Sequence, residues 1–193
     1  MDPKRRGQGW GVKVHPLVTA DEPQPTRARF PELFEAHAKY VWITLRRLGV
    51  RANELEDLTH EVFLQVFRHL DAYDPRRPAR PWLFAFALRV ASEARRRVRR
   101  RPELATDLSE APGSGPTPID ELLAAERRQL ARRALDELEL NRRAVFILHE
   151  LDGYAITEVA RSLGIPLATA YSRLRLARED FALITRRLRS RER

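Results

Sequence analysis

The chain has 193 residues, with 36 lysines and arginines against 27 aspartates and glutamates, a formal net charge of +9 and no cysteine. That balance favours a polyanionic partner such as nucleic acid, and the lack of thiols excludes disulfides, thiolate nucleophiles, cysteine zinc clusters and sulfur-ligated iron. No apolar run reaches the roughly 18 residues of a spanning helix, and the basic start MDPKRRGQGWGVKVHPLV lacks the apolar core of a secretory signal, so a cytoplasmic location is expected.

Residues 1–29 are rich in Pro, Gly and charge without a sustained period, and read as a disordered tail. Order is expected from Phe30, where Phe30, Leu33, Phe34, His37, Val41, Thr44, Leu45 and Leu48 recur at helical spacing and Gly49 supplies a stop. Asn53 followed by Glu56 predicts a capping box for a second helix that buries Leu55, Leu58, Val62, Val66 and Leu70 and ends near His69. The stretch DAYDPRRPARP, 71–81, has three prolines and predicts a loop. A third helix is expected from Trp82, with Trp82, Leu83, Phe86, Val90 and Ala94 as its core stripe and the run RRRVRRR as its end. Residues 102–118, with four prolines and two glycines, have the composition of a flexible linker. Beyond it Ile119, Leu122, Leu123, Leu130, Leu135 and Leu138 mark another helix, and Val145, Ile147, Leu148 and Leu151 one more, closing at Asp152-Gly153. The chain therefore reads as all-α, two small helical domains at 30–101 and 119–188 joined by a linker, with a basic tail at 189–193.

The last unit, EVARSLGIPLATAYSRLRLAR, is a helix, a bend and a second helix. Ile156, Val159, Ala160 and Leu163 share a face, Gly164 suits the left-handed end of a helix, and Pro166 suits the first turn of the next. That next helix buries Leu167, Ala170, Leu174 and Ala177 and is expected to present Thr169, Ser172, Arg173 and Leu176 opposite, flanked by Tyr171, Arg175 and Arg178. Small and polar groups followed by arginines let a helix enter a major groove, where bulky apolar side chains would block the base edges. Catalysis finds no support. His60-Glu61 opens an HExxH-like string whose fifth position is Leu64, the five histidines show no metal-ligand pairing, and GQGWG lacks the strand and helix of a phosphate loop, so neither metal nor cofactor is expected.

Two blocks together carry a family resemblance. LELNRRAVFILHELDGYAITEVARSLGIPLATAYSRLRLARE (138–179) resembles region 4, and ELEDLTHEVFLQVFRHLDAYDPRRPARPWLFAFALRVASEARRR (54–97) resembles region 2, of the extracytoplasmic-function (ECF) group of bacterial RNA polymerase sigma factors. The likeness runs from about Phe30 to Leu188. It implies a non-enzymatic initiation factor whose first domain binds a coiled coil on the polymerase β′ clamp and captures the unpaired -10 element, while the second binds the -35 duplex and the β flap. Carried over, Asp57, His60, Glu61 and Gln65 would meet the polymerase. Tyr73 would stack on a flipped base, and Arg76, Arg77, Arg80, Arg89, Arg95 and Arg96 would neutralise -10 phosphates. Thr169, Ser172 and Arg173 would approach -35 bases, with Arg175 and Arg178 on the backbone, while Tyr171 in the same -35 surface either removes a phosphate contact or adds an aromatic that reads a thymine methyl. Arg89 and Glu93 stand where relatives often have Asn and Asp, and Tyr171 where they often have Lys. The family also implies an anti-sigma partner. The alternative is a stand-alone helix-turn-helix regulator, which would bind a palindromic duplex without polymerase.

Overall fold

The computed structural model describes residues 29–100 and 118–191, so the tail and linker fall outside it apart from Arg29 and Pro118. Among the described residues there are seven α-helices and no strand.

Helix α1, Phe30–Arg47, has Pro31 and Glu32 in its first turn and Arg46 and Arg47 in its last, each charge matching the helix dipole. It stops at Gly49, whose φ of 85° lets the Gly49 amide donate to Arg46 O and the Val50 amide to Leu45 O, both at 3.1 Å. Helix α2, Leu55–Arg68, does not use the expected Asn53–Glu56 box; a 3-10 turn at Ala52–Glu54 leads in, and the Leu55 amide donates to Ala52 O. The turn meets the need for a cap with main chain alone. Helix α3, Ala79–Arg100, begins three residues before the expected start. Pro81 is its third residue, and the carbonyl four positions back, that of Arg77, precedes the helix, so the ring meets no helical carbonyl, no helix hydrogen bond is lost, and the proline that read as a breaker is accommodated. These three helices pack mutually. Val41, Leu45, Val62, Val66, Leu83, Phe84 and Val90 are almost wholly shielded from solvent, each contributing about 1.5–3 kcal/mol of burial. Trp82, expected in the core, lies half-buried at its rim.

The second module comprises α4 (Pro118–Glu137), α5 (Leu140–Phe146), α6 (Ile156–Ser162) and α7 (Leu167–Arg191). The Glu139 carboxylate caps α5 by accepting from the Asn141 and Arg142 amides at 3.0 and 3.1 Å. α5 continues through a π-helical turn, Ile147–Leu151, closed by the Asp152 amide donating to Ile147 O at 2.9 Å. Gly153 and Gly164, at φ 77° and 63°, turn the chain before and after α6. α7 packs on α4, α5 and α6 through Ala170, Leu174 and Ala177, and Phe181 stacks on Phe146 at 4.8 Å. It continues to Arg191, so residues 189–191 of the expected tail are helical. The modules also meet each other: α6 lies on α3 and α4 on α1, joining both apolar cores in one cluster.

Candidate nucleic-acid interface

Helices α6 and α7, joined by the turn at Gly164, form the bend expected from sequence. The Ile165 amide donates to Ala160 O at 3.0 Å and the Ala170 amide to Pro166 O at 3.0 Å, so the turn is held by main chain and needs no particular side chain. The outer face of α7 carries Tyr171, 55% exposed, with Ser172, Arg175 and Arg178 also exposed. Arg178 reaches back to Glu150 at 2.6 Å, and Arg175 pairs with Glu179 at 2.7 Å. These solvent-facing pairs are worth little, so a phosphate can replace either carboxylate at small cost.

Arg173 is placed differently from expectation. It is half-buried, with one terminal nitrogen shut away from solvent, and Thr169 is half-buried too. At about 100° per residue Arg173 lies only about 60° from Ala170 around the helix axis, on the flank of the buried stripe and not opposite it. The exposed face is therefore built on Tyr171, Ser172 and Arg175.

In the first module the turn between α2 and α3 is organised by Asp74. Its carboxylate accepts from the Arg76 amide at 3.0 Å and from Arg76 Nε at 3.1 Å, and Arg77 lies 3.8 Å away. The Arg76 hydrogen bonds hold the Asp74 carboxyl below the ordinary range. Beside this turn an aromatic row runs from Tyr73 to Trp82 (4.8 Å) to Phe86 (5.0 Å), and the Arg89 guanidinium lies over Phe86 at 5.8 Å. The Tyr73 hydroxyl donates to Arg77 O at 3.2 Å, fixing the first ring.

The candidate arginines do not all converge. Arg89 and Arg96 share one side of α3 with the aromatic row, whereas Arg80 and Arg95 share the side turned to the second module. The Arg80 guanidinium rests 5.2 Å from the Tyr40 ring centroid, and Arg95 Nη1 donates to Leu48 O at 3.3 Å. On α2, Asp57, His60 and Glu61 are exposed on one face, and Gln65 Nε2 donates to Glu61 Oε1 at 3.2 Å. Leu64 and Phe67, 57% and 39% exposed, extend that face with apolar surface. The sequence reading did not single them out for function, although both interrupt the polar side of the α2 pattern.

The comparisons with known proteins follow this layout. The family models "Sigma-70 region 2" and "Sigma-70, region 4" match residues 33–101 and 128–181. The ECF RNA polymerase sigma factor SigL of Mycobacterium tuberculosis is 36% identical over 147 residues, covering 75% of this chain and 82% of that protein. The chain is an ECF RNA polymerase sigma factor. The ECF sigma-E factor of Escherichia coli is 30% identical over 139 residues, covering 67% of this chain and 73% of its own. Two solved structures share the fold. CnrH in complex with the cytosolic domain of CnrY aligns with a TM-score of 0.58 at 23% identity, over 82% of this chain and 88% of that one. The sigma factor RpoE bound to the anti-sigma factor NepR, from Bartonella quintana, aligns at 0.61 and 20%, over 81% and 96%. The ECF factor described here thus carries its region 2 and region 4 matches on two successive helical modules.

Proposed function

We propose that this ECF sigma factor directs core RNA polymerase to promoters by dividing the work between its modules. The observation that carries the reading is the succession of a region 2 and a region 4 match on two modules that each expose a basic face. The α2 face of Asp57, His60, Glu61 and Gln65 docks on the β′ clamp. The partly exposed Tyr73 and Trp82, backed by the buried Phe86, receive unstacked -10 bases, whose release from the duplex costs a few kcal/mol that stacking returns at about 1–3 kcal/mol per base. Arg76, Arg77, Arg89 and Arg96 hold the accompanying phosphates. On α7, Tyr171, Ser172 and Thr169 face -35 base edges, Arg173 approaches from the flank, and Arg175 and Arg178 grip the backbone, with the β flap as second polymerase contact.

The protein is a regulatory initiation factor, and we assign it no catalytic group of its own. No helix among the described residues is long and apolar enough to cross a membrane, in keeping with work in the cytoplasm. The two structural neighbours, both solved with partners, lend support to an anti-sigma protein as a further ligand. Binding measurements separate this function from a stand-alone helix-turn-helix regulator. The account expects tight association with core polymerase and weak binding to any duplex alone; a strong affinity for a palindromic duplex, with none for core enzyme, would contradict it.

A further inference from the structure

Beside the apolar contacts that join the two cores, the seam between the modules holds a polar cluster. The Asp152 side chain, 9% exposed, sits where α5 and its π turn end, and both its oxygens are taken by α1: Tyr40 Oη donates to Oδ2 at 2.8 Å and Arg47 Nη1 to Oδ1 at 3.0 Å. These contacts join residues 112 and 105 positions apart, across the two modules, and exist only while the modules touch. Around them, Arg80 lies over the outer face of Tyr40, and the buried Arg143 of α5 comes so near the end of α1 that a Cβ on Gly49 would be 2.7 Å from its Nη1. Burial and the neighbouring Asp152 charge push the Tyr40 phenol well above its ordinary range, so it remains a donor to that carboxylate.

A closed chain cannot serve a promoter. Sites at -35 and -10 are centred about 25 base pairs apart, about 85 Å along the duplex at about 3.4 Å per step, whereas a compact chain of this length has a radius of gyration of about 16 Å. Resting on the function proposed above, we infer that Asp152 is the latch of a closed, promoter-incompetent form of this sigma factor, opened when polymerase and DNA draw the modules apart. The residues from Arg100 to Pro118 can span about 60 Å at full stretch, so covalent length permits the opening. Opening also parts Arg95 of α3 from Arg143 of α5, which both reach the end of α1 at Gly49 in the closed form.

The chain has no cysteine, which makes the test direct. Ala52→Cys and Ala182→Cys, both at exposed sites on opposite modules, carry spin labels in the full-length protein, and their distance distribution is measured with Asp152 intact and with Asp152→Asn. The wild-type background should give one short distance. Because hydrogen bonds to a charged group are among the stronger ones, Asp152→Asn should raise the open fraction about tenfold. It should also raise run-off transcription by core polymerase at sub-saturating sigma, with the start site unchanged. Tyr40→Phe and Arg47→Gln should each shift the distances the same way by less, and neither should add to Asp152→Asn. Unchanged distances in all three variants overturn the latch, including the case in which Asp152→Asn alone fails to fold. Distances that open as expected while no form, wild type included, supports transcription leave the latch standing and sink the function it was built on.

Discussion

Arg143 has a side chain wholly removed from solvent, with Nη1 bonded to Asp136 at 3.2 Å and Nη2 to Leu138 O at 3.2 Å. Burial pushes its guanidinium below the ordinary value despite Asp136, so the pair is costly to keep and costlier to break. Arg143→Ala should lose about 3 kcal/mol, roughly 10 °C in Tm by thermal unfolding, and Arg143→Met should recover about half by filling the space. On the surface the effects belong to binding instead. Arg178→Ala should weaken -35 binding evenly over promoter variants and lower the salt slope by about one, while Tyr171→Ala should change preference at one or two base pairs. Uniform losses from both would contradict the division. At Asp74 the depressed carboxyl favours the ionised, Arg76-bonded form. Its contribution is complete above the usual carboxylate range and is lost as pH falls below about 4, so Trp82 fluorescence, read with Trp10 and Trp42 replaced by Phe, should be flat from pH 8 to 5 and change only in acid. Which arginines of α7 are exposed was half legible in sequence. Arg175 and Arg178 project into solvent as periodicity predicts, but Arg173 sits on the flank because its neighbours in the helical net, Ala170 and Ala177, are both fully buried.

Elements were the most legible level, because amphipathic periodicity and glycine stops are local. Gly49 and Gly164 ended helices where expected, each at positive φ. They should nevertheless respond differently to alanine. A Cβ on Gly164 meets nothing within 4 Å, so Gly164→Ala should cost only the left-handed backbone strain, about 1–2 kcal/mol, with the modules still closed. Gly49→Ala adds a collision with Arg143 and Arg95, and should both destabilise more and widen the spacing between modules, as read by calorimetry and small-angle scattering. The features missed were those in which a residue's meaning depends on register. Pro81 breaks a helix interior yet is harmless in a first turn, and the Asn53–Glu56 pattern gave way to a 3-10 lead-in. The π turn at Ile147–Leu151 leaves no mark on the apolar spacing of α5, although it sets where Glu150 and Asp152 project.

For the molecule as a whole, two blocks in order were enough to read the family from sequence, whereas the seam was invisible. Tyr40 and Asp152 are 112 residues apart, and neither looks unusual in its own stretch of sequence. Pairing across such a gap follows from tertiary packing, which no local pattern encodes. The function we propose depends on both modules acting at once, one on unpaired bases and one on duplex. Its most direct measurement is initiation by reconstituted core polymerase on a randomised template library, with and without this chain. The account predicts new start sites that share one -35 and one -10 sequence at a fixed spacing and vanish when either Tyr73 and Trp82 or Arg175 and Arg178 are replaced by alanine. Transcript yields and start sites that are the same with and without the protein would contradict it.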